Sequence, residues 1–154
     1  VVVREKNAEL AKLAYGANYD QVMGAPVTIA LFTDTDLQKR ARKIARVGGV
    51  KNFTDEQLQY FMQNLPAEFA RYDAQQTSDY LALNAGLVAV NLVLALTDQG
   101  IGTNIILGFD KSKINEVLDI EERFRPEVLI TVGYASEKVE PSYRLPVDEI
   151  IDKR

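Results

Sequence analysis

The stretch "GIGTNIILGFD", residues 100–110, decides how the chain is read, because its glycines admit two incompatible readings. As a dinucleotide-binding loop it would need G-x-G-x-x-G after a strand and before a helix, so that a pyrophosphate meets the helix N-terminus. Here the order is inverted. Gly100 and Gly102 follow a long apolar helix and precede a run of strand formers, and the third glycine is absent. Gly100 therefore reads as the residue that ends a helix. Gly108 differs in kind. It closes a strand expected over 103–107 and leads through Phe109 to Asp110, the expected N-cap of a helix over 111–118. Sheet proteins turn backbone N–H groups towards ligands at such a place.

Upstream, "SDYLALNAGLVAVNLVLALTDQ" (78–99) is apolar on almost every side between Ala85 and Leu96, so both faces must be covered. At 1.5 Å per residue it spans about 30 Å, enough to cross a domain. Asn84 and Asn91, seven apart on one face, read as satisfying a buried hydrogen bond or setting the register of a dimer. Earlier segments alternate in type. Residues 1–4 ("VVVR") read as a strand, and 7–15 as a helix with Leu10, Leu13 and Ala14 inward, Asn7 as N-cap and Gly16 as stop. "APVTIALFTD" (25–34) reads as a fully buried strand. "TDLQKRARKIARVGG" (35–49) reads as a helix with Leu37, Ala41, Ile44 and Ala45 inward, ended by Gly48 and Gly49. Its Lys39, Arg40, Arg42, Lys43 and Arg46 form a solvated face or, less simply, attract the phosphates of a nicotinamide cofactor.

Thr54 and Gln57 make a capping box for a helix carrying Leu58, Phe61, Met62 and Leu65, interrupted or kinked at Pro66. A strand over 127–133 and a polar, Pro-punctuated tail complete the chain. Four strands and five or six helices, with helix between successive strands, predict an α/β sandwich around one sheet in a single domain over 1–154.

Composition narrows the chemistry. The 154 residues are 47% hydrophobic and carry 18 basic against 22 acidic side chains, a net of -4, which argues against general attraction to nucleic acid or an anionic membrane. No uninterrupted apolar run reaches the ~18 residues of a membrane span and no leader pattern is seen, so the expectation is a soluble, cytoplasmic protein. There is no Cys, His or Trp. That removes thiol nucleophiles, Ser-His-Asp arrangements and nearly every zinc or haem site. An enzyme built on this chain uses carboxylates, Lys, Tyr, a carboxylate-bound metal or a borrowed cofactor. The opening "VVV", without Met, reads as the middle of a strand, so the numbering is expected to start inside a longer protein.

A family resemblance appears at these same residues. "NLVLALTDQGIGTNIILGFDKSKINEVLDI" (91–120) followed by "RPEVLITVGYASEKVEPSYRLPVDEII" (125–151) resembles the C-terminal half of the nitroreductase family of FMN-dependent oxidoreductases. Shared features are a central helix ending at G-x-G, a strand, a Gly-Phe turn, a helix, a strand ending in Gly-Tyr and an Arg-x-Pro segment. "ANYDQVMGAPVTIALFTD" (17–34) is similar to the family's Asn/Gln-containing segment before its Ala-Pro strand.

The resemblance implies a three-layer sandwich with a central mixed sheet and a long central dimer helix, in a homodimer holding FMN between subunits. It implies that Ile105, Ile106, Leu107 and Gly108 line the isoalloxazine, with a backbone N–H near Gly108 directed at N5 and O4. Asn18 and Gln21 would contact the ring's polar edge, and Arg144 with Ser142 would hold the phosphate. The family's N-terminal helix, with its phosphate-binding Arg and Ser, would precede Val1. No side chain is expected to act as acid or base, and no metal is expected, because the flavin carries the chemistry. The implied activity is hydride transfer from NADH or NADPH through flavin N5 to a nitroaromatic, quinone or similar acceptor by a ping-pong mechanism. Two alternatives stand beside it: a flavin-binding or stress protein with little turnover, and a cofactor-free dimeric scaffold.

Overall fold

The computed structural model describes residues 1–49, 53–136 and 143–152. Four strands, β1 (Val2–Val3), β2 (Val27–Asp34), β3 (Gly102–Ile106) and β4 (Phe124–Gly133), form one sheet in the order β1-β2-β4-β3. The α/β sandwich stands, but its sheet is antiparallel in all three pairings rather than mixed. The reason is topological. β4, last in sequence, lies between β2 and β3 and runs against both, so the helix-bearing connection from β2 to β3 never sets those two strands side by side.

Among the described residues seven helices accompany the sheet: α1 (Asn7–Ala11), α2 (Asn18–Gly24), α3 (Leu37–Gly49), α4 (Asp55–Phe69), α5 (Ala74–Asp98), α6 (Ile114–Leu118) and α7 (Val147–Ile150). Side-chain alternation along the strands divides the interior in two. Ala30, Ile106 and Leu129 point to one face, where they pack with Leu10 of α1, Val22 of α2 and Ile114 of α6. Val128 and Ile130 point to the other, against Ala89 of α5, with Ile29, Leu31, Leu92 and Val93 around them. Helices thus cover both faces. β2 is not fully buried as expected: Thr28 and Ala30 are covered, while Ile29 and Leu31 stay partly open on the α5 side.

Local signals explain most element ends. The Thr54 capping box forms, with the side chains of Thr54 and Gln57 each bonding the other's backbone N–H. α4 nevertheless runs through Pro66 to Phe69 instead of stopping there. Asn7 does not cap α1: it is the first helical residue, buried, and its Nδ2 donates to the Ala25 carbonyl at 2.6 Å, anchoring the entry to β2. α3 carries Leu37 and Ala41 inward and Lys39, Arg40, Arg42 and Lys43 outward, as its spacing predicts. The side chains of Ile44, Ala45 and Arg46, and the glycine stop at 48–49, lie outside what is described.

α5 starts at Ala74, four residues before the expected start, because Asp73 and Gln76 form a second capping box. Gly100 ends it as the glycine reading requires. With φ at +72°, it lets the Ile101 N–H reach the Leu96 carbonyl at 3.0 Å and its own N–H reach Thr97 at 2.9 Å, the paired bonds of a Schellman motif. By length and composition α5 would suffice to cross a membrane, contrary to the reading of uninterrupted runs. Its Leu81, Ala85 and Ala89 instead lie buried within the fold, and Ala89 packs on the sheet. Asn84 and Asn91 turn back on their own helix, donating to the carbonyls of Tyr80 (2.7 Å) and Leu87 (2.8 Å).

β4 contains a proline although it is an inner strand. The ladder to β2 passes from Leu31↔Val128 to Phe32↔Pro126, leaving Glu127 as the extra residue of a β-bulge. A proline cannot donate to a ladder, so a bulge is where an inner strand tolerates one.

Candidate active site

β3 delivers its last residues to the end of the sheet, where the period of two separates their side chains. Ile105 and Leu107 lie on the α5 side and are exposed, at 41% and 68%. Ile106 faces the opposite way, is 2% exposed and belongs to the core under α1, α2 and α6. The four residues expected to act as one wall are therefore split: Ile106 supports the site from beneath, while Ile105 and Leu107 face open space.

That space is a cavity of about 360 Å³ between β3 and α5. Ala82, Ala85, Gly86 and Ala89 form its helical wall. These small residues at i, i+3, i+4 and i+7 share one face of α5 and leave room above Ile105 and Leu107. Sequence reading treated the helix as uniformly apolar and missed this wall, though the spacing of its small residues was there to find. Glu127 and Lys111 bring the cavity's charge. The Glu127 carboxylate is neutralised: Oε1 accepts from Thr33 Oγ1 at 2.6 Å and from Arg125 Nε at 2.7 Å. Arg125 also donates to Ser78 Oγ and O, which fastens β4 to the first turns of α5.

Gly108 sits at the end of β3 in a tight turn. The Phe109 N–H bonds the Leu107 carbonyl at 3.2 Å, an i to i+2 closure centred on Gly108. The Gly108 carbonyl accepts from the Tyr15 N–H at 2.9 Å and from Asn18 Nδ2 at 3.2 Å. Its own N–H donates to nothing among the described residues. A side chain here would make Asn18 move, because a Cβ on residue 108 would stand 2.9 Å from Asn18 Nδ2. Asp110 accepts from the Ser112 N–H (3.0 Å) and hydroxyl (2.6 Å), and these bonds hold its carboxyl below the ordinary range. It caps a turn ahead of α6 rather than a helix beginning at 111.

The other expected site residues are placed differently. Gln21 Oε1 accepts from Asn104 Nδ2, so both amides are engaged in joining α2 to β3. They line a separate groove with Thr103 and Thr131. Arg144 is exposed, with Nη1 donating to the Tyr143 carbonyl at 2.9 Å. Ser142, its expected companion, lies outside the described residues. The structure therefore brings Asn18, Leu107 and Gly108 together and leaves Gln21 and Arg144 apart from them.

An α/β sandwich with an antiparallel sheet, one long apolar helix and a glycine turn beside a cavity is the nitroreductase-like fold. The chain belongs to the nitroreductase family, whose model matches residues 1–134. It is 62% identical over 154 residues to a Streptococcus pyogenes serotype M6 protein named "Putative NAD(P)H nitroreductase Spy0809", covering 100% of this chain and 76% of that one. Among solved structures it is similar to a nitroreductase family protein from Streptococcus pneumoniae TIGR4, with 84% identity, a TM-score of 0.95, and coverage of 100% of this chain and 77% of that one. It is also similar to a "putative nitroreductase in complex with FMN" from Exiguobacterium sibiricum 255-15, at 27% identity and a TM-score of 0.90, covering 100% of this chain and 75% of the other.

The site's donors suit a flavin. The Gly108 N–H is an uncommitted donor among the described residues, and apolar walls adjoin it. A flat ring with a polar edge and an apolar body needs that combination.

Proposed function

We propose that this protein is an FMN-dependent NAD(P)H oxidoreductase that works as a homodimer in the cytoplasm, where reduced nicotinamide cofactors are available. The observation that carries the reading is the Gly108 N–H at the end of β3, without an acceptor among the described residues and set beside an apolar cavity in a chain of the nitroreductase family. The FMN complex of the Exiguobacterium sibiricum neighbour supports the choice of flavin, and the names of the curated relatives support NADH or NADPH as the donor.

When bound, FMN would supply two-electron transfer from the nicotinamide to an acceptor such as a nitroaromatic or quinone, the two substrates taking turns at one site. The chain's own residues have narrower tasks. Gly108 donates through its N–H to the ring's polar edge. Ile105 and Leu107 give apolar contact and exclude water. Arg144 offers a guanidinium to the phosphate. The neutralised Glu127 keeps a lone negative charge away from a site that must accept electron density.

The dimer rests on α5. Leu83, Leu87, Val90 and Leu94 recur at i, i+4, i+7 and i+11 and are all more than half exposed in the single chain. This is the seam of a helix that packs against another helix. An apolar stripe of that length on a free surface marks an interface.

The purified protein is expected to take up FMN with a shifted visible absorbance, and to bleach on anaerobic mixing with NADH or NADPH. Absence of flavin absorbance after adding FMN would sink the reading. Bound flavin that does not bleach would reduce it to a flavin-binding protein.

A further inference from the structure

The cavity between β3 and α5 carries two charged side chains, Glu127 and Lys111, and the fold treats them differently. The Glu127 charge is answered, since Oε1 accepts from both Thr33 and Arg125. Lys111 has no such partner. Among the described residues no carboxylate pairs with its ammonium, which stands 5.8 Å from the centroid of the Phe109 ring.

The backbone sets where this cation is. The Asp110 N–H is tied to the Leu13 carbonyl at 2.8 Å, and the Asp110 carboxylate holds the Ser112 N–H and hydroxyl, so Lys111 leaves from a turn fixed on both sides. Phe109, which the ammonium approaches, is itself buried and bridges Ala14. A flexible stem thus starts from a rigid point and reaches the cavity.

The rest of the lining is apolar. Ala85, Gly86 and Ala89 line it from α5, and Ile105, Leu107 and Val128 from the sheet side. Val90 lines it too and also belongs to the exposed seam of α5, so a second copy resting on that seam borders the cavity and keeps water from part of it. A volume of about 360 Å³ is at the low end for small-molecule sites, which suits one ring rather than an extended chain. A charge without a counter-ion on a low-dielectric wall attracts an anion more strongly than the same charge in open water. The complement of this lining is a compact apolar body with one negative group.

We propose that Lys111 is a specificity-determining residue of the acceptor site, and that the acceptor it selects is a one-ring aromatic bearing a carboxylate. The proposal rests on the FMN reading above and narrows its acceptors to anionic ones. The phosphates of the nicotinamide donor offer Lys111 the same chemistry. The small apolar cavity favours the acceptor, and the test separates the two.

Benzoate and benzamide match in shape and differ in charge. Each is titrated into flavin-free and FMN-loaded protein while the methyl resonances of Ile105 and Leu107 are followed, in wild type and in Lys111→Ala, Lys111→Glu and Lys111→Arg. The Lys111 side chain is exposed and takes no part in the bonds between Asp110 and Ser112, so all three variants are expected to fold, which thermal unfolding checks. Wild type is expected to bind benzoate about fivefold more tightly than benzamide, the upper end for one solvent-reachable ion pair. That preference should vanish in Lys111→Ala, reverse in Lys111→Glu, persist in Lys111→Arg and shrink as salt is raised. In turnover, 4-nitrobenzoate, the reduced nicotinamide and a proton give 4-nitrosobenzoate, the oxidised nicotinamide and water, the nitro group gaining the two electrons that the nicotinamide loses. The ratio of kcat/KM for 4-nitrobenzoate to that for 4-nitrobenzamide should follow the binding preference. The kcat/KM for the nicotinamide, which in a ping-pong scheme is independent of the acceptor, should not.

Equal affinity for benzoate and benzamide in wild type, or a preference that survives Lys111→Ala, would overturn the proposal and leave the FMN reading intact. Loss of FMN uptake in Lys111→Ala would overturn it by giving the lysine to the cofactor. A fall in kcat/KM for the nicotinamide equal to that for 4-nitrobenzoate would overturn it by giving the lysine to the dinucleotide. A wild-type protein that takes up no FMN would overturn the FMN reading and the acceptor role together.

Discussion

Arg125 Nε and Glu127 Oε1 lie 2.7 Å apart, two residues along one strand, flanking the proline at the bulge of β4. The pair is not a surface ornament: Glu127 is 9% exposed at its side chain, and the remaining guanidinium nitrogens of Arg125 reach Ser78 on α5. Arg125→Ala is expected to destabilise the fold by about 2 kcal/mol, since it strands a carboxylate that is nearly out of solvent. Arg125→Ala with Glu127→Gln should recover part of that loss, because the amide carries no charge. Urea unfolding of the single and double variants measures both.

Gly100 and Gly108 separate two ways in which a glycine is required. At Gly100 a Cβ meets nothing within 4 Å, but φ is +72°. Gly100→Ala should therefore lower stability by about 1 kcal/mol through backbone strain alone, leaving FMN binding as it was. At Gly108 the obstruction is Asn18. Gly108→Ala should leave the melting temperature close to wild type and cut FMN retention. Thermal melts and flavin occupancy, measured on both variants, give opposite patterns if these readings hold.

The exposed seam of α5 makes a prediction about assembly. Leu87→Lys places a charge in the middle of the stripe formed by Leu83, Leu87, Val90 and Leu94. The expected outcome is a shift from dimer to monomer in sedimentation velocity, with FMN occupancy falling alongside. A variant that sediments as wild type would remove α5 from the interface.

Asp110 gives a pH dependence whose sign can be worked out. Its folded pKa is lowered, mainly by the Ser112 hydroxyl and N–H and to a lesser degree by Lys113. The cap is therefore present above the ordinary carboxylate range and is lost as pH falls through the depressed value. The Ser112 amide resonance should move in one step below the ordinary aspartate range, and should stay flat in Asp110→Asn.

Much of the fold could be read from local chemistry. The Thr54 box, the Gly100 stop and the inward Leu37 and Ala41 all depend on residues within a turn or two of each other. The same box at Asp73 and Gln76 was equally local and went unread, which set the start of α5 four residues late. What could not be read depended on distant partners. The antiparallel sheet follows from β4 entering between β2 and β3, which helix–strand alternation does not encode. The split of Ile106 from Ile105 and Leu107 follows from the pleat once the helices on each face are known. The acceptor of Asn18 could not be read because it lies ninety residues away, nor could the partner of Gln21, Asn104, which is on another element.

The insertion of β4 has a consequence for the chain as it is made. β2 and β3 do not touch as neighbours; each waits for the strand between them. Synthesis proceeds from the N-terminus, so β2, α5 and β3 leave the ribosome before the residues of 124–133 that join them. Until then β2 and β3 lack the strand between them, and Val128 and Ile130 are not yet there to cover Ala89 of α5. Such late closure between distant segments is slow in general. The nascent chain must therefore carry its most apolar helix incompletely covered for the time it takes to add the last strand.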